Sequence, residues 1–512
     1  MVDKRDTLGI ERPMFKKILI ANRGEIALRV IRACRELGIG SVAVYSDADR
    51  DSLHVVLADE AYNVGPAPSK DSYLSIERIM DAVKKSGADA VHPGYGFLSE
   101  NTDFAEALRK AGVTFIGPTP ENIRAMGDKI SAIRLMREAG VPTVPGSGGP
   151  VDTIEDAKKI VAKIGLPVMI KATAGGGGKG MRVVHQMEEL ESGYRAARSE
   201  GLNYFKNDTV YIERFIQNPK HIEVQVFGDT HGNVCHLFER ECSVQRRNQK
   251  LMEESPSPSV DDAIRTKLGD VAVKAAKAIA YIGAGTFEFI FDNVTKEFFF
   301  MEMNTRLQVE HPVTEMVVGI DLVAEQIFVA LGRKLSFQQK DIVQRGHAIE
   351  ARICAEDPFT FVPSPGLIRR CRHPQGPFIR TDSYAYPGYI VPIYYDPMVA
   401  KLIAWGPDRD TAIRRLDRAL TEFTLTGIKT NILLHKSILQ SPKFLDGTYT
   451  TQFCDKDLEI KMPKLFHQVD DHVFLITAAI AAYNDKKAKS VSDYNVASHW
   501  KSVGRATSLR DQ

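Results

Sequence analysis

The sequence predicts an α/β protein made of several domains. The chain has 512 residues, and an ordinary domain takes about 100 to 200, so three or four domains are expected. In the first quarter of the chain, short apolar runs alternate with segments of helical periodicity, which is the pattern of βαβ units around a parallel sheet. In the middle, runs that alternate apolar and polar residues are separated by turn-forming residues, which predicts antiparallel hairpins.

Composition and charge are those of a globular protein and exclude several functional classes. Hydrophobic residues make up 44% of the chain and charged residues 26%, and the net charge is +2, so no overall charge attracts nucleic acid or an anionic membrane. The six cysteines show no CxxC spacing and are expected to be reduced thiols of a cytoplasmic protein. The N-terminal extension, residues 1–14, lacks the apolar core of a secretory signal, and the longest apolar run, 473–483, is too short to span a bilayer.

Residues 15–127 are predicted to form an N-terminal domain with a dinucleotide-fold pattern. Predicted strands cover 17–21, 41–45 and 88–92, and a predicted helix covers 24–37. A nicotinamide-binding fold would carry GxGxxG after the first strand, but Asn22-Arg23-Gly24-Glu25 stands there instead. The pattern therefore predicts a Rossmann-like sheet and argues against a NAD-dependent oxidoreductase.

Residues 128–340 are predicted to form a second domain with a mobile lid at about 143–215. A strand at 167–171 leads into four consecutive glycines, Gly175 to Gly178. Consecutive glycines expose backbone N–H groups and permit positive φ, as a loop that folds over phosphates requires. No Ser or Thr follows the lysine after the glycines, so this is not a Walker A loop. The alternative is a flexible linker, but Lys171 at the end of the adjoining strand favours a phosphate lid.

A predicted hairpin between residues 285 and 304 places two carboxylates opposite each other. Turn-forming residues around position 295 separate two strand patterns, and Glu288 and Glu302 lie seven residues on either side of that position. In a symmetric hairpin these side chains share a face, roughly 5 Å apart, and strand alternation puts Asn304 on the same face. Two such carboxylates repel unless a cation lies between them, and hard oxygen ligands suit Mg²⁺, which usually accompanies phosphates. The alternative, an exposed hairpin with scattered charges, is disfavoured by three adjoining phenylalanines.

Two further regions complete the chain. The segment 239–250 is dense in cations and amides between apolar flanks, so it forms either a solvated face or the wall of an anion site. Residues 346–456 are predicted to form an α+β domain that begins with a strand and contains helices near 409–423 and 429–439. Residues 457–512 are a C-terminal extension with one apolar helix.

Taken in order, these segments resemble the biotin carboxylases of the ATP-grasp superfamily. The motifs that carry the resemblance are Ile20-Ala21-Asn22-Arg23-Gly24-Glu25-Ile26-Ala27, His92-Pro93-Gly94-Tyr95-Gly96-Phe97-Leu98-Ser99-Glu100-Asn101, Met126-Gly127-Asp128-Lys129, the glycine loop, Gln245-Arg246-Arg247 and Glu302 to His311. The resemblance covers residues from about 15 to 456. It implies an ATP-grasp fold with a Rossmann-like N-terminal domain and a C-terminal α+β biotin carboxylase domain.

The resemblance also implies a reaction and the residues that bind its nucleotide. ATP and bicarbonate would give carboxyphosphate, whose CO₂ passes to N1′ of biotin on a carrier protein. The positions implied for ATP are Lys129, Lys171, Gly176, Gly177 and Gly178 at the phosphates, Glu213 and Ile216 beside the adenine, and His221, Gln245 and Asn248 near the nucleotide. Glu288, Glu302 and Asn304 would hold Mg²⁺ (or Mn²⁺), in agreement with the hairpin argument. Asn248 departs from the family's best-known bacterial members, which carry His there, so no charged role is expected of it.

The residues implied for bicarbonate and biotin lie mostly in the segment that follows the hairpin. Lys250, Arg306, Gln308 and Val309 would surround bicarbonate, which an arginine can grip through two parallel hydrogen bonds. Glu310 would be the base that deprotonates bicarbonate; the alternative is a carboxylate that only orients Arg306. Arg352 would stabilise the oxygen of deprotonated biotin, because a cation beside that oxygen lowers the barrier by several kcal/mol.

The absence of a biotin-attachment motif indicates which partner proteins the chain needs. A carrier domain marks its biotin lysine with Ala-Met-Lys-Met, and no such tetrapeptide occurs here. The resemblance therefore implies a stand-alone subunit, commonly a homodimer, that works with a biotin carboxyl carrier protein and a carboxyltransferase subunit acting on acetyl-CoA, another acyl-CoA or pyruvate. The alternatives are an ATP-grasp ligase with another acceptor and a non-catalytic scaffold subunit. The complete set of expected catalytic residues disfavours the scaffold.

Overall fold

The computed structural model describes residues 15–172, 180–205, 207–460 and 476–484. The chain divides into two units, Met1–Ile460 and Lys461–Gln512. The described part of the second unit, 476–484, is helical and exposes Ile476, Ile480 and Tyr483. None of the helices in the described residues combines the length and the apolarity that a membrane crossing requires.

The N-terminal part is the predicted parallel sheet with helices. Its strands are β1 (Lys17–Ile20), β2 (Gly40–Tyr45), β3 (Glu60–Asn63), β4 (Ala90–His92) and β5 (Thr114–Phe115), and its helices are α1 (Gly24–Glu36), α2 (Leu53–Leu57), α3 (Ile76–Ser86), α4 (Thr102–Lys110) and α5 (Pro120–Gly127). The strands pair in parallel in the order β3-β2-β1-β4-β5. The turn from β1 into α1 has Gly24 at φ +67°, a conformation that glycine adopts without steric cost. The Rossmann-like prediction is confirmed.

A small antiparallel sheet follows. The elements are α6 (Lys129–Glu138), α7 (Ile154–Ile164), β6 (Val168–Ala172), β7 (Met181–Val184), α8 (Leu190–Phe205) and β8 (Val210–Arg214). Helix α6 begins where Asp128 accepts a hydrogen bond from the Ser131 backbone N–H at 2.8 Å. The strands pair in the order β7-β6-β8. The predicted glycine loop, including Gly176, Gly177 and Gly178, lies outside the described residues.

The remaining elements build the largest sheet of the described chain. They are β9 (Pro219–Gly228), β10 (Val234–Arg246), β11 (Gln249–Ser255), α9 (Asp262–Ala278), β12 (Gly283–Asp292), β13 (Phe298–Asn304), α10 (His311–Val318), α11 (Leu322–Ala330), β14 (His347–Cys354), β15 (Gly366–Leu367), β16 (Arg370–Arg372), β17 (Ile379–Ser383), β18 (Ile390–Val391), β19 (Met398–Gly406), α12 (Arg409–Glu422), β20 (Thr424–Thr426), α13 (Ile432–Leu439), α14 (Pro442–Leu445) and α15 (Phe453–Lys456).

One eight-stranded sheet runs through most of this region in the order β13-β12-β9-β10-β11-β14-β19-β17. Strand β11 pairs with β14, so the sheet continues from the segment predicted as 128–340 into the segment predicted as 346–456. Two two-stranded ladders, β15-β18 and β16-β20, accompany it. Side chains from both predicted segments therefore lie side by side on one sheet.

The hairpin β12–β13 has an apolar face and a polar face. Phe287, Phe289 and Phe300 are buried in a core that also contains residues of α6 and α9. Because strand neighbours alternate between faces, burying Phe287 and Phe289 directs Glu288 to the opposite face. A register shift between Glu288 and Phe289 then pairs Glu302, rather than Met301, with Glu288. Burial of the three adjoining phenylalanines was predicted and is confirmed.

Candidate active site

A cleft of about 720 Å³ gathers side chains from the N-terminal sheet and the eight-stranded sheet. Its lining includes the loop after β1 and the loop after β4, represented by Arg23 and Tyr95. The predicted site residues that line it are His221, Asn248, Lys250, Glu288, Glu302, Asn304, Arg306, Gln308, Val309, Glu310 and Arg352. These positions span more than a hundred residues of sequence, so tertiary packing brings them together.

A row of charged side chains crosses four strands of the sheet at this cleft. Arg240 lies opposite Glu223, Glu223 opposite Glu288, and Glu288 opposite Glu302. The last pairing is the one predicted for the hairpin, and it is confirmed. Arg240 donates to Glu223 at 2.5 Å, and both side chains are fully buried. A buried ion pair of this kind holds its neighbours in fixed positions, because moving either partner would leave an unpaired buried charge.

Lys250 lies at the centre of the carboxylates. Its Nζ is 2.7 Å from Glu223, 2.9 Å from Glu288 and 2.6 Å from Glu310. Burial lowers the pKa of Lys250, but the three carboxylates outweigh burial and raise it well above its usual range. The side chain therefore stays an ammonium ion, fixed where three negative charges converge.

Glu310 lies between two cations. Its second carboxylate oxygen accepts a hydrogen bond from Arg352 Nη2 at 3.0 Å, and Arg352 Nε donates to Glu253 at 2.6 Å. Burial raises the pKa of Glu310, but Lys250, Arg352 and Arg240 hold it well below its usual range. Glu310 is thus an ionised carboxylate that lines the cleft, and Arg352 connects it to the sheet behind.

The hairpin carboxylates and the adjoining amide provide three hard oxygen donors. Glu288 is buried, accepts from Gln308 Nε2 at 2.8 Å, and lies 3.1 Å from His221 Nε2. Glu302 is half-exposed, with the exposed ammonium of Lys129 3.9 Å away. Asn304 presents its side-chain oxygen to Arg306 at 2.6 Å. Two carboxylates and an amide oxygen are ligands that suit a divalent ion such as Mg²⁺, which prefers oxygen ligands.

Three predicted bicarbonate residues line the cleft beside the hairpin. Arg306 is held by Glu100 at 2.8 Å, an acceptor from the loop before α4. Gln308 accepts from Arg240 at 2.9 Å, and the Val309 carbonyl accepts from Lys401 Nζ at 2.9 Å. Each of the three is therefore oriented by a partner from a distant part of the chain.

The predicted nucleotide residues divide between two places. Lys171 and Glu213 form an ion pair at 2.5 Å on the small sheet, where Ile216 is buried just beyond β8. Gln245 is buried in β10, and Asn248 lies at the tip of the β10–β11 hairpin with φ +64°. Among the described residues, the lining of the cleft includes Asn248 but not Lys171, Glu213, Ile216 or Gln245.

Sequence reasoning missed several residues of this network. Glu223, Glu253 and Lys401 were given no role, and Arg240 was considered only as part of the segment 239–250. A signal for Glu223 was present, because His221, Glu223 and Gln225 alternate with Ile222, Val224 and Val226 in β9. The same alternation marks Glu350 and Arg352 in β14. Polar residues on one face of a strand with a wholly apolar opposite face indicate a buried polar site.

Three family models match consecutive parts of the chain. The model described as "Biotin carboxylase, N-terminal domain" matches residues 14–123. The model described as "Carbamoyl-phosphate synthase L chain, ATP binding domain" matches residues 128–338. The model described as "Biotin carboxylase C-terminal domain" matches residues 350–456. Together they cover nearly all of the region that contains the cleft.

Similar proteins agree with these models. The biotin carboxylase of Haemophilus influenzae is 54% identical over 446 residues, which are 87% of this chain and 99% of the relative. A Campylobacter jejuni biotin carboxylase, solved with β-γ-ATP, has a TM-score of 0.80 at 50% identity and covers 86% of this chain and 99% of its own. The biotin carboxylase domain dimer of the Hydrogenobacter thermophilus 2-oxoglutarate carboxylase, solved with MgADP and bicarbonate, has a TM-score of 0.79 at 49% identity and covers 87% of this chain and 98% of its own. The chain therefore belongs to the biotin carboxylase family of ATP-grasp proteins and is an ATP-dependent carboxylating ligase.

Proposed function

We propose that this chain carboxylates biotin on a separate carrier protein, using ATP and bicarbonate by way of carboxyphosphate. The observation that carries the proposal is the cluster of Lys250, Glu310 and Arg352 beside the hairpin carboxylates. It supplies a fixed cation, an ionised carboxylate and a guanidinium in one cleft. These are the groups that phosphoryl transfer from ATP to bicarbonate and stabilisation of an anionic biotin require.

ATP would lie with its phosphates toward Lys129 and Lys171, and the glycine loop would cover them. Glu213 and Ile216 would border the adenine, with His221, Gln245 and Asn248 near the nucleotide. The Hydrogenobacter relative holds MgADP, which supports the same ligand here. Glu288, Glu302 and Asn304 would hold the divalent ion, Mg²⁺ or Mn²⁺. When bound, the ion would neutralise charge on the phosphates and orient them.

Bicarbonate would bind between Lys250, Arg306, Gln308 and the backbone at Val309. Glu310 would accept the bicarbonate proton as a bicarbonate oxygen attacks the γ-phosphorus and ADP leaves. Because neighbouring cations keep Glu310 ionised, it is ready to accept a proton at neutral pH. The alternative role, orienting Arg306, receives no support from the contacts, since Arg306 is held by Glu100 and Asn304.

Biotin would enter with its ureido oxygen toward Arg352. Loss of the N1′ proton places negative charge on that oxygen, and a guanidinium nearby stabilises the charge. Cleavage of the C–O bond of carboxyphosphate would give CO₂ and phosphate, the phosphate would take the N1′ proton, and N1′ would attack the CO₂ to give carboxybiotin and inorganic phosphate. Arg352 is already oriented by Glu253 and Glu310, so little reorganisation is needed.

The partners would be a biotin carboxyl carrier protein and a carboxyltransferase subunit that uses acetyl-CoA, another acyl-CoA or pyruvate. A homodimer is supported by the Hydrogenobacter relative, which was solved as a dimer. A cytoplasmic location also remains a prediction, because some plant relatives are named chloroplastic.

The first experiment measures ADP release by the purified chain with Mg²⁺ and bicarbonate, with and without free biotin. We expect bicarbonate-dependent release that free biotin stimulates. Turnover that needs bicarbonate but ignores biotin would assign the chain another acceptor. Absence of turnover both alone and with the carrier protein added would favour the scaffold alternative.

A further inference from the structure

Two buried carboxyl groups lie directly behind Arg352. Glu253 in β11 and Glu350 in β14 are paired positions of the antiparallel ladder, so their side chains share a face of the sheet. Both residues are fully buried. Arg352 lies two residues beyond Glu350 on the same strand and therefore on the same face.

The hydrogen bonds of this pair are incomplete. Glu253 accepts from Arg352 through one oxygen, while its other oxygen has no partner among the described residues. Within the same described part of the chain, neither oxygen of Glu350 has a partner. A buried carboxylate without a hydrogen bond is costly, and two adjacent buried carboxylates also repel each other. A proton held between them removes the repulsion and gives a hydrogen bond to the free oxygen of Glu253 and to one oxygen of Glu350.

Charged groups from several elements lie near the pair. Lys401 in β19 lies opposite Arg352, and it contacts Glu25 of α1 at 3.1 Å. The titratable groups that interact with the pair are Lys250 from β11, Arg352 and Cys354 from β14, Lys401 from β19, Cys242 from β10, Glu310 at the start of α10 and Tyr95 from the loop after β4. Arg352 and Lys401 are the nearest cations, and neither forms a hydrogen bond with Glu350 that the structure records.

We propose that Glu253 and Glu350 share one proton and that this singly charged pair positions Arg352 for the biotin oxyanion. The proposal deepens the proposed function, because it rests on Arg352 facing biotin. If both carboxyls were ionised, Arg352 would face three carboxylates together with Glu310, and its charge would be neutralised before biotin arrived. If both were neutral, Glu310 would be the one ionised carboxylate of the three to hold the guanidinium. Arg352 would then lose its last ionic contact when Glu310 takes up a proton.

The titration behaviour of the two groups agrees with this geometry. Burial raises the pKa of Glu253 to about 7, although Arg352 opposes the rise. Burial also raises the pKa of Glu350 well above its usual range, although Lys401 opposes the rise, and Glu253 adds to it. A pair that titrates together loses its shared proton as one unit.

The decisive variant is Glu350→Gln, which keeps the shape and fixes the neutral form. In the wild type, loss of the shared proton at alkaline pH should lower kcat for biotin carboxylation. In E350Q we expect this alkaline decline to move upward by roughly one pH unit or more, or to disappear. The pH profile of ATP cleavage without biotin should not move, because that half-reaction does not use Arg352. An alkaline limb identical to that of the wild type would overturn the proposal.

Glu254→Gln is the matched control. Glu254 is the next residue of β11, is also buried, and points to the opposite face toward Arg409, His347 and Tyr449. E254Q should change stability but leave the alkaline limb of carboxylation where it is. If E254Q moved that limb as far as E350Q does, the effect would belong to strand packing and the proposal would fail.

A spectroscopic measurement tests the shared proton without activity. Infrared spectra of the wild type at neutral pH should contain a protonated-carboxyl band that is absent from E350Q. In E253Q the same band should disappear at a lower pH, because the neighbouring negative charge that retains the proton is gone. A wild type without that band would refute proton sharing. Failure of biotin to stimulate ADP release in the wild type would instead count against the proposed function, and the infrared result would still stand.

Discussion

At the scale of single residues, the cleft depends on a few side chains that satisfy several partners at once. Lys250 contacts Glu223, Glu288 and Glu310, and all three carboxylates are buried. An ion pair at the surface contributes little to stability, but removing one partner of a buried pair leaves an uncompensated charge. Lys250 is therefore expected to affect both catalysis and folding.

Lys250→Gln should abolish activity and also destabilise the fold. Bicarbonate-dependent ADP release should fall at least about a hundredfold, because a preorganised cation is lost from the site of phosphoryl transfer. The free energy of unfolding should fall by about 3 to 5 kcal/mol, because three carboxylates lose their shared cation. Chemical denaturation and an ADP-release assay measure the two effects. The exposed Lys158→Gln is the control, and an equal loss of stability in both variants would contradict the argument.

Arg352→Ala should separate the two half-reactions. Carboxylation of biotin should fall by about a hundredfold or more, because the cation beside the biotin oxygen is removed. Bicarbonate-dependent ATP cleavage should remain largely intact, because Lys250 still holds Glu310. Parallel assays of carboxybiotin and ADP test this expectation. Equal loss of both activities would show that Arg352 serves the first step as well.

Glu350→Gln should make stability less sensitive to pH. The pKa of Glu350 is raised in the folded chain, so between the unfolded and folded pKa values only the folded chain holds the proton. The free energy of unfolding of the wild type therefore falls as pH rises through that interval, by up to about 1.4 kcal/mol per pH unit. We expect the stability of E350Q relative to the wild type to increase from about pH 5 to pH 8. Denaturant titrations across this interval would contradict the argument if the difference were constant.

At the scale of elements, the β12–β13 hairpin shows how one local structure makes a site. Its turn sets the register of the three phenylalanines, a register shift beyond Phe289 pairs Glu288 with Glu302, and Phe287, Phe289 and Phe300 hold the hairpin in the core. The β10–β11 hairpin works similarly, with Arg247 and Asn248 at positive φ in a tight turn that returns the chain to Lys250. Each hairpin delivers polar residues to the cleft because its apolar residues occupy the opposite face.

Glu302→Gln should raise the Mg²⁺ requirement of the enzyme. The substitution keeps the side-chain length but removes one negative charge from the hairpin pair, and a neutral amide binds Mg²⁺ more weakly than a carboxylate. The Mg²⁺ concentration for half-maximal ADP release should increase roughly tenfold or more, with little change in stability, because Glu302 is half-exposed. Glu297→Gln, in the same hairpin near the turn, is the control. An unchanged Mg²⁺ titration in E302Q would contradict the assignment of the hairpin as the metal site.

At the scale of the whole molecule, the eight-stranded sheet joins regions that the sequence suggested were separate domains. Pairing of β11 with β14 makes the ladder continuous from β13 to β17. The small sheet β7-β6-β8 is a separate ladder with its own apolar core. The main sheet should therefore unfold as one cooperative unit, and the small sheet can open independently.

Native-state hydrogen exchange tests this division. Backbone amides of β14 and β19 should exchange with the same free energy of opening as those of β10 and β11. Amides of β6 and β8 should exchange with a lower free energy of opening. If Lys171 and Glu213 contact the nucleotide, adding nucleotide should slow the exchange of these amides. A lower opening free energy for β14 and β19 than for β10 would show that the sheet is not one cooperative unit.

Much of the fold and part of the site could be predicted because they depend on local patterns. The parallel N-terminal sheet followed from apolar strands alternating with helices, and the Glu288–Glu302 pair followed from counting residues around a turn. The continuous sheet was missed because strand order between distant segments is not encoded in periodicity. Glu253 and Glu350 were missed for the same reason, since they become neighbours only when β11 and β14 pair.

The sequence by itself determined the family and the secondary structure around the cleft, and it predicted the pairing of Glu288 with Glu302. These depend on residue type, alternation and turn chemistry over short distances. Only the tertiary structure decided which charges meet: Lys250 with three carboxylates, and Arg352 with Glu253 and Glu310. The physical reason is that the charge state of a buried group is set by its spatial neighbours, and here those neighbours come from strands far apart in the chain.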